Sequence, residues 1–217
     1  MTGLQASAKG RIEARARELM KDALPSHGWD HVERVRKLAL KIAREEGADE
    51  IIVELAAILH DTGRQEEDRS AGKICHAEVS ERIARGILSA EGFDARSIDR
   101  VCHCILTHRF RRSRMPETLE AMVLFDADKL DSIGAMGVAR AYLFAGEVGA
   151  RLHNPEVDPG KTSEYGREDS AWREFNVKLK LIKDRMLTGT GRKLAAGRHE
   201  VMERFFDVLN EEIEAKR

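Results

Sequence analysis

Residues 51 to 61 read IIVELAAILHD, and no other stretch constrains the fold as tightly. Ile51, Ile52, Leu55, Ala56, Ile58 and Leu59 leave the segment apolar on almost every side, which suits a helix buried in the middle of a core. That helix then ends on His60 and Asp61. An imidazole and a carboxylate at a buried helix end carry a desolvation cost unless something pairs with them. Two partners answer: each other, in a hydrogen bond that closes the helix, or a divalent cation that accepts both. Thr62-Gly63 breaks the helix immediately afterwards and leaves the pair where a cleft can reach it.

The chain has 217 residues, enough for one good core, and we expect one domain over residues 1–217. Charged residues make up 35% of it, yet the net charge is only -1, so no global field draws in nucleic acid or an anionic membrane. Four prolines and 5% aromatic content favour helix over strand, and the expected fold class is all-α. No apolar run suits a signal peptide or a membrane span. Cys75, Cys102 and Cys104 are too few for a disulfide framework, so the expected setting is a reducing, cytoplasmic one. Cys102 and Cys104 lie two apart and point to nearly opposite sides of a helix, which argues for buried thiols rather than a shared zinc.

Periodicity predicts helices over residues 4–24, ending at Pro25-Ser26, and over 28–46, stopped by Gly47. On the second, Val32, Val35, Leu38, Ala39 and Ile42 form one apolar stripe that includes His31, so His31 faces inward, as a core histidine or as a ligand. His27 is too near the helix start to orient. The buried helix covers 49–61. Residues 65–75, QEEDRSAGKIC, read as a mobile loop whose Glu66, Glu67 and Asp68 form a solvated charge run, or in which Glu66 or Glu67 serves as a general base. Further helices are expected at 76–88 and 95–108, with His76 opening the first and His108 closing the second. Arg109, Arg111, Arg112 and Arg114 cluster in RFRRSR, either as solvated surface or as a source of bidentate phosphate contacts.

The helix expected over 117–133 contains LFDADKLDSIGA. Asp126 and Asp128 lie about 200° apart, so only one of the two can face a given site, and both share a face with apolar residues. A small-residue helix follows over 134–149. Residues 151–167 form a long loop rich in Pro, Gly and Asp, a candidate lid. The C-terminal extension, about 168–217, reads as a hairpin of two amphipathic helices, 168–186 and 190–214.

An inward His on one helix, a His-Asp pair on the next and an inward Asp further on supply two imidazoles and two carboxylates. That mixture suits Mn²⁺, Fe²⁺, Co²⁺, Ni²⁺ or Zn²⁺. The set, read as H31-VERV, LAAILH60-D61-TGR and FDAD128-KLDSIGA within core motifs spanning 27–145, resembles the HD superfamily of metal-dependent phosphohydrolases. The family's A-D-[KR]-L element points to Asp128 as the last ligand, with Asp126 and Asp131 in support. The resemblance implies an all-α HD-domain helical bundle, a metal held by His31, His60, Asp61 and Asp128, and a small phosphorylated substrate, a nucleotide above all. Some relatives hold two metals, and His76 and His108 are placed for a second; otherwise they serve as phosphate contacts or as acid and base. Arg64 and Lys129 are further phosphate candidates, each with a surface ion pair as the alternative. The rival readings are a non-catalytic nucleotide sensor and a phosphodiesterase of cyclic or oligomeric nucleotides. The oligomeric state is open.

Overall fold

The computed structural model describes residues 3–70, 72–109 and 114–217, with side chains from residue 7 onward. Among them all regular structure is helical: α1 (Gly3–Leu19), α2 (Trp29–Glu46), α3 (Glu50–Leu59), α4 (Arg64–Arg69), α5 (His76–Ala90), α6 (Ala95–Thr107), α7 (Leu119–Asp131), α8 (Gly134–Glu147), α9 (Ala171–Val177) and α10 (Gly189–Ile213), with short 3-10 turns between some of them. The all-α expectation is met. The chain forms two compact units, residues 1–128 and 129–217.

In the first unit α3 is the central element, packed against α1, α2, α5 and α6. Leu55, Ile58 and Leu59 are fully buried beside Ile12, Ile42, Leu88 and Ile105. Each such side chain removed from water contributes roughly 1.5–3 kcal/mol. Asp49 caps the start of α3, accepting from the Ile51 N–H at 3.1 Å, and Gly47, with φ of 78°, takes the left-handed turn that ends α2. The buried carboxylate of α3 is Glu54, which accepts from Lys9 at 3.2 Å and from Arg36 Nε at 2.9 Å.

Part of the 65–75 stretch, expected as a mobile loop, is helical. Arg64–Arg69 forms α4, whose Arg64 and Glu67, three residues apart, are both buried. Gly63 brings this helix onto α5: its N–H donates to Ser80 Oγ at 2.9 Å, at a separation that leaves no room for a side chain. Beyond α4, Ser70 Oγ donates to the Glu67 carbonyl and accepts from the Ile74 N–H, both at 2.9 Å.

In the second unit α8 packs against α9 and α10. Phe175 and Phe206 stack with ring centroids 4.4 Å apart, and Trp172 meets Phe206 edge-on. Arg140 pairs with the buried Asp131 at 3.0 Å. The single helix expected over 168–186 is replaced by the short α9 and two 3-10 turns, Leu179–Leu181 and Lys183–Arg185. Leu179 and Ile182 are both buried, and their spacing of three fits one face of a 3-10 turn as well as of an α-helix. The expected helical hairpin is therefore one long helix preceded by broken turns. Residues 151–167 are strapped down: Arg173 donates to Asp169 Oδ1 at 2.8 Å and to the Thr162 carbonyl at 2.9 Å, while Asn154 Nδ2 donates to the Glu168 carbonyl at 3.1 Å.

Candidate metal centre

The end of α3 places His60 and Asp61 in the interior of the first unit, and α2, α5, α6 and α7 each turn one residue toward them. His31 comes from the second position after the start of α2 and His76 from the start of α5. His108 caps the end of α6, and Asp128 lies on α7. The four histidines and Asp61 are buried, and the Asp128 side chain is 16% exposed.

The carboxylate of Asp61 divides the cluster. Its Oδ2 lies 3.5 Å from His31 Nε2 and 3.6 Å from His60 Nε2, and its Oδ1 lies 3.1 Å from His76 Nε2 and 3.8 Å from His108 Nε2. On the first side His31 Nε2 stands 3.3 Å from His60 Nε2 and 3.4 Å from Asp128 Oδ1. On the second side His76 Nε2 stands 3.0 Å from His108 Nε2. Two groups that could hold a cation result: His31, His60 and Asp128, and Asp61, His76 and His108.

The tautomers sharpen the chemistry. His60 Nδ1 faces the Ala57 carbonyl at 2.8 Å, and His108 Nδ1 faces the Ile105 carbonyl at 2.6 Å. A carbonyl can only accept, so each Nδ1 carries the proton and, in the neutral ring, each Nε2 presents a lone pair to the centre. Lone pairs and carboxylate oxygens at such separations repel unless a positive charge sits among them. The donor set therefore fits a divalent cation of nitrogen and oxygen preference on either side of Asp61.

The protonation energetics follow the same pattern. Burial holds His108 well below the usual imidazole range, reinforced by the neighbouring His76 and His60, and burial likewise lowers His60. Burial opposes the charge on Asp61, but His60, His76 and His31 outweigh it and keep the carboxyl well below its ordinary range. For His76 burial is outweighed by Asp61 and Glu67, which raise it.

Glu67 is buried and engaged through one carboxylate oxygen. Its Oε2 accepts from the His76 N–H at 3.0 Å, from Arg109 Nη1 at 2.8 Å and from His76 Nδ1 in a short contact. Burial works against its ionisation, yet His76 and Arg109 hold it at about 2. Glu66 is exposed one residue earlier. Arg64 reaches toward His76, Nη1 to Nδ1 at 3.4 Å, and pairs with Asp68 at 3.3 Å. Asp126 is fully buried, Asp131 binds Arg140, and Lys129 is half-buried in the second unit. Arg114 pairs with Glu78 at 2.9 Å, whereas Arg111 and Arg112 lie outside the described residues. Burial pushes the thiols of Cys102 and Cys104 up to about 12, as inert core thiols require. Sequence reasoning missed the tie between Glu67 and Arg109. Its only trace was a carboxylate ahead of His76 and a guanidinium directly after His108.

Residues 28–133 match the family model of the HD domain. Over 207 residues the chain is 36% identical to the uncharacterized protein YpgQ of Bacillus subtilis (strain 168), a match covering 94% of this chain and 92% of that protein. The chain belongs to the HD superfamily. The fold agrees along nearly the whole length. The crystal structure of YpgQ in complex with ADP superposes with a TM-score of 0.74 at 31% identity, covering 96% of each chain. A crystal structure of an HD-superfamily hydrolase from Bacillus thuringiensis superposes with a TM-score of 0.73 at 25% identity, covering 98% of this chain and 99% of that one. The motif residues His31, His60, Asp61 and Asp128 fall within the matched span, and membership supports, in general terms, a metal-dependent phosphohydrolase of all-α HD-domain fold.

Proposed function

We propose that this HD protein hydrolyses a small nucleotide, cleaving a phosphate ester or anhydride at a centre that holds two divalent transition-metal ions. The observation that carries the reading is the split of the Asp61 carboxylate between two groups of imidazoles, one oxygen to each. His31, His60, Asp61 and Asp128 would hold one ion, and Asp61, His76 and His108 the other. Ions so bound supply Lewis acidity, polarising a phosphoryl oxygen and making water a nucleophile near neutral pH.

The chain's own residues do the rest. The Nδ1 donations of His60 and His108 to helix carbonyls keep both rings from turning, so their Nε2 atoms stay aimed at the centre. Arg64 carries a buried guanidinium beside His76 and is the candidate to receive phosphate oxygens, in exchange for part of its pairing with Asp68. Lys129, next to Asp128 in sequence, is a second phosphate candidate. Burial of the donor set excludes bulk water and strengthens each electrostatic contact. The reading of a nucleotide as substrate draws support from YpgQ, whose structure was solved in complex with ADP.

The test is turnover. Purified protein stripped of metal and given Mn²⁺, Co²⁺, Ni²⁺, Fe²⁺ or Zn²⁺ is incubated with nucleoside mono-, di- and triphosphates, and released phosphate and pyrophosphate are read separately. Metal-dependent release that disappears in Asp61→Ala supports the hydrolase. Nucleotide binding with no release under any metal would replace it with a sensor.

A further inference from the structure

Glu67 sits where a general base would be sought, but its surroundings give it another task. Oε2 takes three donors, from the His76 ring, the His76 backbone N–H and Arg109. That oxygen is thereby committed to the His76 and Arg109 donors. The acceptor and its donors lie close in the chain to the ligands of one half of the centre: Glu67, on α4, comes six residues after Asp61, His76 opens α5, and Arg109 directly follows His108 beyond the end of α6.

Three of the four histidines of this centre are oriented in two ways. His60 and His108 are each held by a carbonyl of the helix they end, so their ring orientation is built into their own segments. His76 stands at a helix start, where the backbone presents unpaired N–H groups rather than the free carbonyls of a helix end. It needs an acceptor from elsewhere in the chain, and Glu67 supplies it. We infer that Glu67, braced by Arg109, is the positioning residue that turns His76 Nε2 toward Asp61 and His108 and so creates the second cation site. It acts through His76 and touches neither cation nor substrate. This inference rests on the two-cation reading for its consequence, but the hold of Glu67 on His76 can be read without any metal.

Two measurements on the full-length protein test it, with folding of each variant verified by its thermal melt. In the first, Mn²⁺ bound per chain is measured after equilibrium dialysis. The wild type is expected to take up two equivalents. Glu67→Ala is expected to retain one, and Glu67→Gln, whose amide oxygen still accepts from Nδ1, to recover the second with about 10–100-fold weaker affinity. In the second, the ring nitrogens of His76 in the metal-free protein are followed by NMR at alkaline pH. Wild type and Glu67→Gln are expected to hold the proton on Nδ1, and Glu67→Ala to show a mixture of tautomers. Two equivalents in Glu67→Ala together with an unchanged His76 tautomer would overturn the inference. One equivalent in the wild type would instead overturn the two-cation reading, and the tautomer measurement would still decide whether Glu67 sets His76.

Discussion

The Cβ that Gly63 lacks would lie 2.6 Å from Cβ of Val79, and 2.8 Å from the backbone nitrogen of Ser80. This contact is what lets the chain leave the HD pair and turn at once onto α5. A methyl group there must push α4 and α5 apart, two residues from Asp61. Gly63→Ala is expected to cost about 1–3 kcal/mol in chemical denaturation and to weaken Mn²⁺ binding. Gly86 has open space around its Cβ position, in the middle of α5. Gly86→Ala is accordingly expected to stabilise the protein by roughly 0.5–1 kcal/mol and leave metal binding unchanged.

The Asp61 carboxylate puts one oxygen 3.5 Å from His31 Nε2 and the other 3.1 Å from His76 Nε2, so it faces both groups. Loss of Asp61 is therefore expected to remove both equivalents of bound cation, while His31→Ala and His76→Ala each remove one. Metal analysis of the three variants, prepared side by side, distinguishes a shared carboxylate from two independent sites. Equal losses in all three would count against the sharing.

Glu54 is held by Lys9 and Arg36 within the central helix. Removing it strands the half-buried Lys9 and leaves Arg36 with Glu13, at 3.1 Å, and the more distant Glu33. Glu54→Ala is expected to destabilise the metal-free protein by about 1–3 kcal/mol, less than a fully buried pair because both partners retain some exposure to solvent. The same substitution combined with Lys9→Met and Arg36→Met should recover much of the loss. Urea denaturation midpoints measure both effects.

The pH dependence of Glu67 has a definite sign. Its ordinary value is 4.5 and in the folded protein it lies at about 2. The unfolded chain thus binds the proton more readily than the folded one between these limits. The stability Glu67 contributes is complete above pH 4.5 and is lost as the pH falls through about 2. In metal-free protein, Glu67→Gln is expected to show a shallower loss of stability across this window than the wild type. An identical slope would mean that the carboxylate gains nothing from His76 and Arg109.

In the second unit, Arg173 ties Asp169 and Thr162 together beneath the 151–167 loop. Arg173→Ala is expected to expose that loop to limited proteolysis, with cleavage mapped by mass spectrometry between residues 151 and 167. The wild type should resist under the same conditions.

Much of this arrangement was legible from the sequence because it depended on short-range chemistry. The apolar run ending in His60-Asp61, the inward stripe containing His31 and the all-helical composition each report a local preference, and α2, α3, α5 and α6 form close to where periodicity puts them. Asp126 against Asp128 was undecidable from geometry because both faces of α7 are buried, and only the resemblance to a family favoured Asp128, whose Oδ1 comes within 3.4 Å of His31. The polar text of residues 65–75 misled because its organising contacts are long-range. Gly63 against α5, and Glu67 against His76 and Arg109, join residues from 9 to 42 positions apart. Residues 168–186 misled for a different reason: apolar residues spaced by three fit a 3-10 turn nearly as well as an α-helix, and composition does not separate them.

The carbonyls of Ala57 and Ile105 occupy the same third-from-last position in α3 and α6, and each is met by the ring of the histidine that ends its helix. A buried helix terminus ordinarily leaves acceptors that something must satisfy. Here that unmet need is itself the mounting for a ligand. The device is self-contained within four consecutive residues and requires no partner from the rest of the chain. A helix that acquires a histidine at its buried end therefore acquires an aimed lone pair in the same substitution, a short evolutionary path by which a structural core can become a reactive one.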